Sequence, residues 1–180
     1  VLEGVGVGIL TGFVGVGGTS PGAGEEATCF LINDNILIDT GFNAAVSLQA
    51  LEVSPGTIDH VLITHCHHDH VLGLPGLLFA RHRHAQQRED APPLQLYGPL
   101  DLTPVYEASL AMLQANRYPQ VVPACDVHHV YPGEQLEIGD LRIDVGRAFH
   151  PVDARSYRIT DTLSRGSVVI SGDTAYHDGL

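Results

Sequence analysis

The feature that most constrains this chain is the stretch 58–70, where a β-rich run, Val61-Leu62-Ile63, delivers the backbone straight into Thr64-His65-Cys66-His67-His68-Asp69-His70. A loop that follows a strand can aim two residues spaced two apart, His65 and His67, at one point, and Asp69 and His70 follow at once and can face a second. Neutral imidazole nitrogens and carboxylate oxygens suit zinc and similar borderline metals. The chain holds 11 histidines, so isolated ones such as His60, His82, His84, His128 and His129 read as ordinary polar side chains. A H-x-H-x-D-H cluster is rare by chance even at that content, and it reads as metal ligands rather than as polar groups of an exposed loop. Neither His68 nor Cys66 is counted as a ligand, because adjacent residues rarely converge on one ion.

The rest of the chain frames that cluster. Glycine-rich runs, Gly4-Val5-Gly6-Val7-Gly8 and Gly15-Val16-Gly17-Gly18, match neither G-x-G-x-x-G nor a phosphate loop with its lysine, and read as turns between strands. Apolar runs at 28–32 and 36–38, parted by Asn33-Asp34-Asn35, predict a β-hairpin that ends in Asp39-Thr40-Gly41. Helical spacing follows over 42–51, Pro55-Gly56 marks a turn, and 58–64 is a strand. A helix is expected over 71–80, an exposed polar loop over 81–93, a short strand over 94–97 and a second helix over 103–115. Short strands then dominate, at 127–130, 135–138, 141–145, 157–160 and 167–171. The economical reading is one layered α/β domain over residues 1–180.

At 180 residues with 44% apolar content the chain can bury a sizeable core. No stretch reaches the ~18 to 20 apolar residues of a membrane span, and no signal-peptide pattern opens it, so a cytoplasmic location is expected. Cys29, Cys66 and Cys125 are odd in number and irregular in spacing, unlike a disulfide framework, and Cys29 and Cys125 read as small buried apolar groups. The formal charge of −12 arises from 21 acids against nine bases, every base an arginine. Such a chain repels polyanions, so no nucleic-acid partner is expected from this chain alone. Arg81-His82-Arg83-His84 with Arg88 is the one local basic cluster and reads as a solvated helix end or loop. The start at Val1 and the end at Leu180, shortly after a motif that normally lies mid-fold, suit a fragment.

His65-Cys66-His67-His68-Asp69-His70, preceded by Leu37-Ile38-Asp39-Thr40-Gly41, resembles the metallo-β-lactamase superfamily. Phe149-His150-Pro151 with Ser156-Tyr157-Arg158-Ile159 is similar to that family's third ligand segment, and Val169-Ile170-Ser171-Gly172-Asp173-Thr174 to its strand ending in a bridging aspartate. Gly73-Leu74-Pro75-Gly76-Leu77-Leu78 and Leu96-Tyr97-Gly98-Pro99 look most like the ribonuclease Z and arylsulfatase-like branch. The resemblance implies an α/β metallo-β-lactamase fold, an αβ/βα sandwich, incomplete at its C-terminus. It implies a first ion on His65, His67 and His150, a second on Asp69 and His70, and Asp173 bridging both. The ions would be zinc, with manganese or iron as alternatives. A further histidine that the family supplies C-terminal to the Asp-Thr motif is not in this sequence, and His177 does not match it. Asp39 reads as a group that orients a ligand, or as a turn residue.

What the resemblance implies chemically is hydrolysis by a metal-bound hydroxide, with Asp69 as ligand and proton acceptor and an ester or other small molecule as substrate. Phosphodiesters and related esters lead. Sulfate esters, lactones or amides on the same site, and a non-catalytic metal-binding subunit, stay open. A homodimer is what the branch implies.

Overall fold

The computed structural model describes residues 9, 11–15, 18–22, 25–86, 88 and 90–176. The Gly4-Val5-Gly6-Val7-Gly8 run, Val16, Gly17 and His177 lie outside them. Two sheets form. The first has six strands in the order β1 (Thr11–Gly15), β2 (Cys29–Ile32), β3 (Ile36–Ile38), β4 (His60–Leu62), β5 (Leu94–Gly98) and β6 (Cys125–His129). The second has four, in the order β10 (Ser167–Ile170), β9 (Arg155–Asp161), β8 (Leu141–Arg147) and β7 (Gln135–Ile138).

Strands β1 to β3 pair antiparallel, and the β2–β3 hairpin turns through Asn33 and Asp34, both at positive φ, which their short polar side chains tolerate. Strands β3 to β6 are all parallel and adjacent in chain order. Each crossover carries helix: α1 (Ala44–Ala50), then α2 (His68–Val71) with α3 (Leu74–Ala85), then α4 (Leu102–Met112). Right-handed crossovers between neighbouring strands put every helix on one face of the sheet. That face holds one core, with Leu37, Val61, Ile63, Leu94 and Leu96 packed against Leu48, Leu74, Leu77, Leu78 and Leu102.

The second core lies between the sheets. Alternate residues of the same strands, Ile36, Ile38 and Leu62, meet Ile143, Val145, Tyr157 and Ile159 of the antiparallel sheet. Period-two alternation thus feeds two cores from one sheet.

Three expectations shift. Part of the glycine-rich segment is an edge strand, β1, rather than turn. The helix expected over 71–80 is α3, Leu74–Ala85, and a separate single turn, α2, precedes it at His68–Val71, so Asp69 and His70 ride on helix instead of on a loop. Residues 81–85, expected to open an exposed loop, continue α3, and Arg81 is only 2% exposed. Burial of that charge is tolerable because the guanidinium donates to the carbonyls of Ile58 and Pro92 and pairs with Asp59 at 3.0 Å. Arg88 pairs with the same carboxylate at 2.9 Å. Burial opposes the charge on Asp59, but hydrogen bonds from Arg88 and then Arg81 outweigh it and hold the carboxyl below its ordinary value. Among the described residues no helix is long and apolar enough to cross a membrane.

Candidate metal centre

The parallel strands β3 and β4 end side by side, so Asp39 and the Thr64-His65 step fall at the same, C-terminal edge of the sheet, the usual place for sites in open α/β sheets. Asp39 stands at φ 60°, an uncommon conformation for a non-glycine residue. It is held there by Asp39 N–H donating to Leu62 O at 2.9 Å, and by Thr64, whose N–H and hydroxyl each donate to the carboxylate at 2.7 Å. His70 Nδ1 lies 2.7 Å from Asp39 Oδ2. Burial pushes the Asp39 pKa up, and hydrogen bonds from His70 and Thr64 offset only part of that rise, so it stays above its ordinary value.

These contacts fix two tautomers. A carboxylate only accepts, so His70 carries its proton on Nδ1. The Thr64 hydroxyl gives its single proton to Asp39 and can therefore only accept from His65 Nδ1, at 3.2 Å. In both rings Nε2 is left facing away from Asp39 and Thr64, toward the other candidate ligands, the arrangement by which carboxylates and hydroxyls orient metal-binding imidazoles. Burial, and then the neighbouring rings of His70, His150 and His67, push the His65 pKa down to about 3, which keeps it neutral. For His70 burial would lower the pKa, yet the Asp39 hydrogen bond and charge, with Asp69 and Asp173, raise it.

His67, the residue before α2, and His150, in the loop after β8, complete a cluster. His67 Nδ1 is 3.1 Å from His65 Nε2 and 3.0 Å from His150 Nε2. A tetrahedral zinc with bonds of ~2.0 to 2.1 Å holds its nitrogens roughly 3.3 Å apart, close to this spacing. One proton on His67 can serve only one of those two contacts, so three ring nitrogens converge where a cation would satisfy all of them. His65, His70 and Asp173 form a second group, with candidate ligand atoms within 4.8 Å of one another. His70 Nε2 sits 3.5 Å from Asp173 Oδ1 and 3.8 Å from Asp69 Oδ2.

The donor set passes a further test. His70 Nε2 and Asp69 Oδ1 are buried and have no hydrogen-bond partner among the described residues. Leaving such groups unsatisfied costs about 1–3 kcal/mol each, and a divalent cation would remove that cost for both. Imidazoles with carboxylates are the donors that bind zinc, manganese and iron.

Some of the supporting residues were not legible in the sequence. Thr64 stands next to the first histidine but carries no motif of its own. Gly172, at φ 59°, lets the chain turn out of β10 so tightly that a Cβ there would lie 2.6 Å from the Thr64 hydroxyl, and this brings Asp173 to His70. Arg155 is buried at the start of β9. Its backbone N–H donates to Thr64 O at 2.8 Å, its Nε to Val130 O at 2.7 Å, and its guanidinium grips Asp153, which together fasten the His150 loop. Arg155 carried no distinguishing signal in the sequence, since β9 also carries Ser156, Arg158, Thr160 and Asp161. Cys66 packs partly buried against the helix-side core, where burial first, and nearby acids second, push its thiol up to about 12. Its sulfur lies in neither ligand group.

A family model described as the anti-Pycsar protein Apyc1 matches residues 13–180. The chain is 28% identical over 163 residues to ribonuclease BN of Cronobacter sakazakii, covering 87% of this chain and 51% of that one. Among solved structures it is similar to the metallo-β-lactamase fold protein YhfI of Bacillus subtilis, with TM-score 0.71, 26% identity and coverage of 93% of this chain and 64% of that one. It is also similar to the short form of human tRNase Z, with TM-score 0.75, 21% identity and coverage of 94% and 71%. The fold is that of the metallo-β-lactamases. The chain spans about half the length of the curated relatives it matches.

Proposed function

The chain belongs to the family of the anti-Pycsar protein Apyc1, within the ribonuclease Z branch of the metallo-β-lactamase superfamily, and from that premise we propose that it is a metal-dependent hydrolase of phosphodiesters. The observation that carries the reading is the convergence of ring nitrogens from His65, His67 and His150 beside a buried His70 Nε2 and Asp69 Oδ1 that have no hydrogen-bond partner among the described residues. A cluster of this composition is built for a divalent cation. The similarity to enzymes named for ribonuclease activity favours a phosphodiester over other esters.

In this reading His65, His67 and His150 would hold one zinc ion, and Asp69, His70 and Asp173 are the residues that would serve a second. Bound there, such ions would supply a water of lowered pKa, toward ~7, and positive charge against phosphoryl oxygens. The protein residues do the rest. Asp39 and Thr64 orient the rings of His70 and His65 so that their Nε2 atoms face the site, Arg155 holds the His150 loop, and Asp69, beside His70, is the carboxylate that would accept a proton there. Free thiols at Cys29, Cys66 and Cys125 suit a reducing compartment, and we place the protein in the cytoplasm.

Substrate profiling tests the proposal. The zinc-loaded protein is expected to turn over bis(p-nitrophenyl) phosphate and to leave p-nitrophenyl sulfate and lactones intact. Turnover of the sulfate or a lactone, with none of the phosphodiester, would sink it.

A further inference from the structure

The turn that joins β3 to α1 holds both ends of α2, the single helical turn that carries Asp69 and His70. Thr40 N–H donates to His70 O at 2.8 Å, and the Thr40 hydroxyl donates to the same carbonyl at 3.1 Å. At the other end Gly73 N–H donates to Gly41 O at 2.8 Å. The Phe42 ring stacks on His68, with centroids 6.0 Å apart and planes 20° apart. Whatever fixes residues 40–42 therefore fixes where α2 sits.

A carboxylate from the segment before β2 does this. Glu26 Oε1 accepts from Phe42 N–H at 2.7 Å and from Ala27 N–H at 2.8 Å, and Oε2 accepts from the Ser47 hydroxyl at 3.2 Å. Asn43, at the start of α1, makes no side-chain cap hydrogen bond, and the first turn of that helix holds no acid. Gly41 stands at φ 52°, and a Cβ there would lie 2.7 Å from Glu26 Oε1, so the chain is drawn tight onto the carboxylate. Glu25, one residue earlier, is exposed and accepts from Gly22 N–H, so the two adjacent acids are not equivalent.

Hydrogen bonds from backbone N–H groups to a carboxylate are charge-assisted and stronger than neutral ones, so a single acid can pin a turn. We propose that Glu26 is a positioning residue of the metal centre, which acts through the 40–42 turn to place Asp69 and His70 for the second ion. The role rests on the metal-dependent reading above. Asp39 orients the His70 ring through its side chain, whereas Glu26 sets the backbone that carries the ring. His65 and His67 precede α2 and His150 follows β8, so the first ion depends less on the turn.

Cobalt(II) titration of the metal-free protein, followed by visible absorption, gives the affinity for each equivalent, and NMR of the proton between His70 Nδ1 and Asp39 reads the placement of α2 without metal. Glu26→Ala is expected to leave the first equivalent within about twofold of the unsubstituted protein and to weaken the second at least about tenfold, the lower end of what loss of an orienting group costs. It should also move the His70 signal. Glu26→Asp keeps the charge but loses the reach, and should fall with Glu26→Ala. Glu26→Gln keeps the reach, because its amide oxygen accepts from Phe42 N–H and its amide nitrogen donates to the Ser47 hydroxyl, and should match the unsubstituted protein. Arg88→Ala, which loosens α3 at the opposite end of β4, controls for general loss of stability and should alter neither readout. An unmoved His70 signal and an undiminished second equivalent in Glu26→Ala, a loss in Glu26→Gln equal to that in Glu26→Ala, or the same changes in Arg88→Ala would overturn the role. A His70 signal that moves in Glu26→Ala while the unsubstituted protein takes up no cobalt overturns the metal-dependent reading and leaves the placement of α2 by Glu26 standing.

Discussion

Asp39 shows how much of the site is decided by one side chain that touches no candidate ion. It accepts from Thr64 N–H, from the Thr64 hydroxyl and from His70 Nδ1, and through these it sets which nitrogen of His65 and of His70 is free. Replacing it by asparagine puts an amide donor where only acceptors fit, so one imidazole must change tautomer or one donor loses its partner. Asp39→Asn should weaken zinc binding by about 10- to 100-fold, as loss of such orienting groups does, in competition titrations against a chelator; unchanged affinity would contradict this role. The four metal-type residues of the 65–70 cluster were legible because spacing alone brings them together. His150 and Asp173 were legible only through resemblance, since they lie about 80 to 110 residues along the chain and arrive by sheet packing. The Thr64 relay was not legible, because a threonine before a histidine has no signature until the end of β3 is laid beside it.

Elements deliver these residues, and the strain they carry can be tested. Gly172 ends β10 at φ 59° against the Thr64 side chain. Gly172→Ala introduces a Cβ into both an unfavourable φ and an occupied space, so it should lower stability by at least about 1 kcal/mol in urea unfolding and also reduce metal affinity, because Asp173 moves with the turn. A variant of full stability and affinity would show that the close approach does not position Asp173. At the opposite end of β4, Asp59 binds α3 to the sheet through Arg81 and Arg88. Its folded pKa lies below the roughly 3.9 of an unfolded aspartate, so the unfolded chain takes up the proton first as pH falls. The stabilisation is fully present above that unfolded value and is lost as pH drops through the lower folded value. Asp59→Asn should therefore melt below the unsubstituted protein at neutral pH, with the gap closing as the pH falls below about 4; a gap independent of pH would refute the ion-pair account. The same contacts explain why the stretch 81–93 misled: a run of arginine and histidine reads as solvated until a carboxylate and two carbonyls are found waiting for Arg81.

At the scale of the molecule, one parallel sheet with in-order strands sends every described helix to one face and leaves the other for the antiparallel sheet, and the site forms at the edge where both sheets end. Strand types were readable from β-branched runs and turn residues, but the pairing of β3 with β4 and the approach of β9 and β10 are long-range facts that local pattern does not encode. A centre that joins residues of α2 and of the loops after β4, β8 and β10 also couples metal to stability: a ligand present at 1,000 times its dissociation constant adds roughly 4 kcal/mol. Chelation should accordingly lower the melting temperature by several degrees, and zinc should restore it. The most direct measurement is elemental analysis of the protein after gel filtration, run beside His67→Ala and Asp173→Ala. At least one tightly held divalent metal per chain is expected, lost or sharply reduced in His67→Ala and weakened in Asp173→Ala; a protein that retains no metal, or a His67→Ala variant that holds as much as its parent, would contradict the metal centre.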